Sequence, residues 1–175
     1  MMDPLTSSPP DGQDDPSNIS DETLRSLIAH AILESELPPS TIRIEPNPMN
    51  NRWKKHVVNL PLWLSLDGKT THHAHLSHDG IDISLNAQRT LTRFDMGNGT
   101  GIDCSTTTPR PNNANPWEPS PTCGYTYTQT GTYTITATTL WTITWTTDTH
   151  HGTLATTTHT TYPITITQLT SRIIG

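Results

Sequence analysis

Seven of the nine histidines in this sequence fall into two groups, His72, His73, His75 and His78, and then His150, His151 and His159. Imidazole at such density can bind a divalent metal or move a proton near neutral pH. Side chains alternate across a strand, so His73 and His75 would share one face while His72 and His78 take the other. That parity suits exposed polar strand residues better than one tetrahedral site, and no metal ligand is assigned. Asp95, Asn98 and Asp103 surround a glycine-rich turn, where a calcium ion would need several oxygens at short spacing. Their spacing does not match the EF-hand loop, and turn chemistry accounts for them. The chain has no Gly-x-Ser-x-Gly elbow, phosphate loop, His-Glu-x-x-His helix or dinucleotide fingerprint. No residue is therefore assigned a catalytic role, no cofactor is expected, and the reading is of a protein that is not an enzyme.

The two cysteines, Cys104 and Cys123, flank a stretch rich in Pro, Asn and Thr. Without a CxxC or His-Cys spacing a zinc site is disfavoured, and a disulfide is expected. Closing a loop of this size removes roughly 3 kcal/mol of unfolded-chain entropy. Such bonds persist outside the cytoplasm. The N-terminal sequence is acidic and proline-rich, with no charged-then-apolar leader. An upstream leader, another export route and a cytosolic location all remain open on the sequence.

Of the net charge of −6, the acidity sits at one end: residues 1–50 hold nine acids and two bases, and residues 51–175 hold seven and eight. Neither part carries the basic stripe of a nucleic-acid binder, so nucleic acid is not an expected partner. The cluster Arg52-Trp53-Lys54-Lys55-His56 reads as a solvated connector. No apolar run approaches the length of a membrane span, so no transmembrane segment is expected.

The elements that must position these residues read mainly as strands. Hydrophobic residues are 31% of the chain. Threonine fills the deficit, and being β-branched it fits a pleated sheet with hydroxyls on the solvent side. Residues 1–18 read as a disordered acidic tail. An amphipathic helix is expected over 19–37, with Ser20 as N-cap, Leu24, Leu27, Ile28, Ala31 and Ile32 as its stripe, and Pro38-Pro39 as its stop. The stripe must dock on the sheet or on a partner protein. A strand arm is expected over 42–68, where Leu60, Leu62, Leu64 and Leu66 recur at period two and Pro61 marks a strand edge or a strand start. Ile81, Ile83 and Leu85 define another strand, and Thr90 to Phe94 a further one. From Thr132 to Thr146 the odd positions are Tyr133, Ile135, Ala137, Thr139, Trp141, Ile143 and Trp145. Fifteen residues of strand would span about 50 Å, so a bend or bulge is expected near Thr138–Leu140. A last alternating run, Leu154 to Leu169, returns antiparallel, with Pro163 limiting pairing on one side. The regular threonines resemble ice-binding or O-glycosylated surfaces, but solvent-facing β-branched residues explain them. The fold class read from this pattern is an all-β sandwich.

Two segments carry a family resemblance. Phe94-Asp95-Met96-Gly97-Asn98-Gly99-Thr100 resembles the aromatic-x-Phe-Gly-Asp-Gly signature of polycystic-kidney-disease (PKD) domains. Tyr125-Thr126-Tyr127, followed by Gly131-Thr132-Tyr133-Thr134-Ile135, resembles that family's second motif. Asn98 stands where the family has Asp, and Phe94 where it has Trp. The order is also similar to that of actinobacterial envelope proteins, with Pro61-Leu62-Trp63-Leu64 as the leading Pro-Trp-Leu segment. The resemblance implies an immunoglobulin-like sandwich over 70–175 without catalytic machinery; Phe94, Met96, Gly97, Asn98, Gly99, Tyr127, Gly131 and Tyr133 of its motifs, with Trp141 and Trp145 of the alternating run, are read as serving structure. It implies a binding or structural module of the bacterial cell envelope that contacts an unspecified protein or surface ligand. The alternatives are an accessory subunit of an envelope or secretion complex recruited through the helix, and a metal-binding surface protein.

Overall fold

The computed structural model describes residues 20–49 and 52–170; the acidic tail expected over 1–18 lies outside the described residues. The described chain is mostly strand, with one helix. That helix, α1, spans Asp21–Ser35, and the Ser20 hydroxyl accepts the Thr23 N–H at 3.2 Å, which satisfies one of the first-turn donors. Leu24, Ile28 and Ala31, at i, i+4 and i+7, are its buried residues.

The strands are β1 (Thr41–Glu45), β2 (His56–Val57), β3 (Leu62–Asp67), β4 (Thr71–His78), β5 (Ile81–Asp95), β6 (Gly101–Cys104), β7 (Gly124–Tyr125), β8 (Gly131–Thr146) and β9 (His151–Thr167). They form a three-stranded sheet of order β1-β3-β7 and a six-stranded sheet of order β2-β9-β8-β5-β4, with β6 also on β5. Pro61 stands just before β3, the middle strand of its sheet. Both faces of β3 are covered, because Trp63 is as buried as its neighbours Leu62 and Leu64.

One face of the large sheet carries two apolar clusters end to end. Phe94, Met96, Ile135, Ala137, Ile164 and Ile166 pack with Ile42, Ile44, Leu62 and Leu64 of the small sheet. Ile83, Leu85, Ala87, Trp141 and Ile143 pack instead under Leu24, Ile28 and Ala31 of α1. All the inward positions of β8 are odd-numbered, so this one strand serves both clusters. Thr139 is inward and buried between them.

The long strands run without a break at the point where a bend in β8 is expected. The β8–β9 register is continuous from Gly131↔Ile166 to Thr146↔His151. The irregularity lies instead on the neighbour, where the β5–β8 register shifts between Arg89 and Leu91. Nor does a new strand begin at Thr90: β5 is one strand of 15 residues. Before the bulge its inward residues are odd (Ile83, Leu85, Ala87), and after it they are even (Thr92, Phe94, Met96). The extra residue, Thr90, switches the parity, so apolar side chains on both sides of it reach the same face.

Candidate functional site

The motifs of the β5–β6 turn and of the segment leading into β8 meet in space. Met96 N–H donates to Thr100 C=O at 2.9 Å and closes the turn. The Asp95 carboxylate accepts the Gly97 N–H, and the Asn98 side-chain oxygen accepts the Thr100 N–H. Gly97 has φ 78°, and a Cβ there would stand 2.7 Å from the Thr134 carbonyl oxygen, so a side chain is excluded twice over. Gly99 also has positive φ, whereas Asn98 does not. Asn98 acts through its side chain, donating from Nδ2 to the Tyr125 hydroxyl at 2.7 Å. The buried Tyr127 hydroxyl donates to the Met96 carbonyl at 2.7 Å. Its ring stacks on Tyr133 at 4.6 Å and meets Tyr125 edge-on at 4.9 Å. Burial first, then the neighbouring Tyr125 and Tyr133 phenols and Asp95, push the Tyr127 phenol well above its ordinary value. Gly131 opens β8 at φ 154°, and the Tyr133 hydroxyl donates to Gln129 C=O at 3.1 Å. The Asp95, Asn98 and Asp103 oxygens do not converge, since Asp103 chelates the Arg93 guanidinium at 2.9 and 3.1 Å.

Further along β8, Trp141 is buried and its indole N–H donates to the Thr158 hydroxyl at 3.0 Å. Trp145 is half-buried and lies over Gly152, where a Cβ would meet its ring at 2.6 Å.

The histidines divide as strand parity requires. His72 faces inward and its Nε2 meets the Ser35 carbonyl at 2.9 Å, which ties the end of α1 to β4. His73 and His75 face outward and line a shallow depression of about 550 Å3 with Ser84, Asn86, Thr144 and Thr146. His75 Nδ1 lies 3.1 Å from the Ser84 hydroxyl on this open outer face of the sheet. His78 stands 5.6 Å from His30 of α1, and His159 Nδ1 meets the Thr138 hydroxyl. Among the described residues no group of three or more His, Cys, Asp or Glu is arranged to hold a metal ion.

The cleft with the most chemical contrast lies elsewhere, at the end of β1. Cys104 and Cys123 form a disulfide, with Cα atoms 5.7 Å apart, and the loop it closes folds back over β3. The Trp63 indole N–H, donating to the Glu118 carbonyl at 2.8 Å, pins that loop. Arg110, Asn112, Ala114 and Pro116 of the loop then face Glu45, Pro46, Asn47, Arg52, Trp53 and Leu60 across a cleft of about 340 Å3. Trp117 of the loop stands 6.1 Å from Trp53, at 56° to it, and the Arg52 guanidinium sits 5.7 Å over the Trp53 ring. Arg110 donates one bond to the Ala114 carbonyl at 3.2 Å. The Glu45 carboxylate is engaged by Arg43 at 2.9 Å. The cleft thus offers two guanidiniums, a tryptophan wall, asparagine side chains and an apolar floor at Leu60. A group rich in donors beside a flat apolar wall suits an anion that also presents an apolar face.

The sequence reading of residues 52–56 as a solvated connector is corrected at His56, while Arg52, Lys54 and Lys55 are exposed. Arg52 and Trp53 line the cleft. His56 is buried on β2, with neither ring nitrogen hydrogen-bonded among the described residues, and burial lowers its pKa. A tryptophan inside a basic run was the one local signal for the cleft. Arg110, Asn112 and Trp117 carry none, because the disulfide, the pairing of β7 on β3 and the Trp63 bond, all between distant segments, bring their loop here.

No family model, no curated protein and no solved structure matches this chain. Among the described residues no helix is long and apolar enough to cross a membrane.

Proposed function

We propose that this chain is a non-catalytic, extracytoplasmic binding module of the bacterial cell envelope, built on a PKD-like immunoglobulin-type sandwich, and that its ligand seat is the Arg52–Trp53–Arg110 cleft. The observation that carries the reading is the disulfide-closed loop, which presents Arg110 to Arg52 and Trp53 across an open cleft and sets Trp117 against the Trp53 ring. Loops held by a rigid β scaffold are where binding residues concentrate. The disulfide is in keeping with an oxidising compartment. The PKD-like assignment is supported by the contact between the two motifs that carry the resemblance, through Tyr127 to Met96 and Tyr125 to Asn98.

The ligand chemistry that fits is a carboxylate or comparable anion attached to a ring or other flat apolar group. Tryptophan fluorescence and calorimetry with an oligogalacturonate, a Tyr-containing acidic peptide and a neutral oligosaccharide test this. Binding of an acidic probe, and a loss of at least about tenfold in affinity in Arg110→Ala and in Trp53→Ala, are expected, which is about 1.4 kcal/mol or more. Indifference of both variants to every acidic probe that binds the parent protein would remove the cleft from the account, as would failure of all acidic probes to bind.

A further inference from the structure

Strand β9 spans 17 residues, His151–Thr167, and pairs along one side with β8. Its other side meets β2 only at Ile166 and Thr167. Among the described residues, the backbone from His151 to Thr165 therefore has no strand paired on that side, although β1 packs close to β9 through Ile42 and Ile44 against Ile164 and Ile166. Long open edges in native proteins are guarded by lysines, prolines, inward charges, bulges, a covering element or very short length. Of these β9 carries only Pro163, near its far end. Neither β8 nor β9 contains an Asp, Glu, Lys or Arg, their mutual register has no bulge, and the strand is rich in β-branched residues. The one break in the row of backbone donors is Pro163, which has no N–H.

We propose that β9 pairs antiparallel with β9 of a second copy of this chain, joining two six-stranded sheets into one across a two-fold axis. The usable window is bounded by the strand start at His151 and by Pro163, and its midpoint is Thr157. An axis at Thr157 uses the whole window and sets the inward Gly152 opposite the inward, bulky Tyr162 of the other copy, and Leu154 opposite Thr160. On the outer face it sets Thr153 opposite Thr161, and Ala155 opposite His159. All these pairs lack formal charge, so no like charges oppose self-pairing. The inward residues Leu154, Thr156, Thr158 and Thr160 are half-exposed, and a second copy covers them. A two-fold pairing closes on itself and leaves no β9 edge for further addition.

The test is sedimentation equilibrium on the intact chain over a wide concentration range, with two charge variants. Thr157→Lys places like charges against each other on the axis. Thr144→Lys adds the same charge to the exposed face of β8, away from the edge. The expected result is a parent species of twice the 19.3 kDa chain mass. Thr144→Lys keeps that dimer, and Thr157→Lys weakens it at least tenfold with unchanged far-ultraviolet circular dichroism. A parent chain monomeric at every concentration overturns the proposal. So does a Thr157→Lys dimer as tight as the parent, or equal loss in the two variants. If Thr157→Lys loses its strand signal, the double variant Thr153→Lys with Thr161→Lys, which sets a lysine of one copy opposite a lysine of the other at that pair, takes its place with the same expectation.

Discussion

The Tyr127 ring is 1% exposed, and its hydroxyl reaches the Met96 carbonyl across 31 residues of sequence. Replacing it by phenylalanine keeps the stack on Tyr133 and leaves that carbonyl without its buried donor. Tyr127→Phe should lower stability by about 1–2 kcal/mol, read from the urea midpoint; an unchanged midpoint means that the bond adds nothing net. His56 makes the opposite kind of case, a buried imidazole without a hydrogen-bond partner among the described residues. Burial lowers its pKa from the ordinary 6.5, so the folded state resists a proton that the unfolded state accepts. Above pH 6.5 both states are neutral and nothing is lost. As pH falls below that value the unfolded chain binds the proton first, and stability drops until the lowered folded value is reached. His56→Leu should flatten that part of the melting-temperature profile relative to the parent protein, and two superimposable pH profiles would show that His56 is not the source.

At the scale of elements, β5 shows how much of a pattern is visible in one dimension. Ile83 and Leu85 fall on odd positions and Phe94 and Met96 on even ones, so the sequence announces a change of parity near Thr90. Two strands and one bulged strand produce the same change. The neighbour decides, because the uninterrupted β8 ladder holds both halves of β5 in line. Removing Thr90 should restore simple alternation with the same inward set, giving a chain that still unfolds cooperatively. Inserting one alanine after Thr90 also restores alternation, but it carries Phe94 and Met96 two residues along the β8 ladder, Phe94 moving from Ala137 to Ile135, and should lower the melting temperature more than the deletion does. Thermal scans of the two variants test the account, and an insertion variant as stable as the deletion variant would be incompatible with it.

Across the whole molecule, α1 and the small sheet divide one face of the large sheet between them, while the outer face stays polar. The apolar stripe of α1, which on sequence alone suits either the sheet or a partner protein, is occupied by Ile83, Leu85, Trp141 and Ile143. Ile28 is 1% exposed, and Ile28→Ala should cost about 2–4 kcal/mol, measured by denaturant unfolding. A cost below about 0.5 kcal/mol would mean that the helix does not contribute to this core. The disulfide joins core to cleft: reduction should remove roughly 3 kcal/mol. It should also change the Trp53–Trp117 fluorescence, because the loop bearing Trp117 loses its closure. Reduced protein with unaltered melting and emission would deny the bond both roles.

Alternation along β8 and β9, the stripe and cap of α1, and the pairing of the only two cysteines were all legible in the chain, because each is written in neighbouring residues or in a unique pair. Tertiary structure alone decided that the bulge sits on β5, that His56 is buried, that Asn98 works through its side chain, and that Arg52 and Trp53 face Arg110 and Trp117. Those outcomes depend on contacts between segments dozens of residues apart, and the period of a local pattern carries no information about which distant segment will complete it.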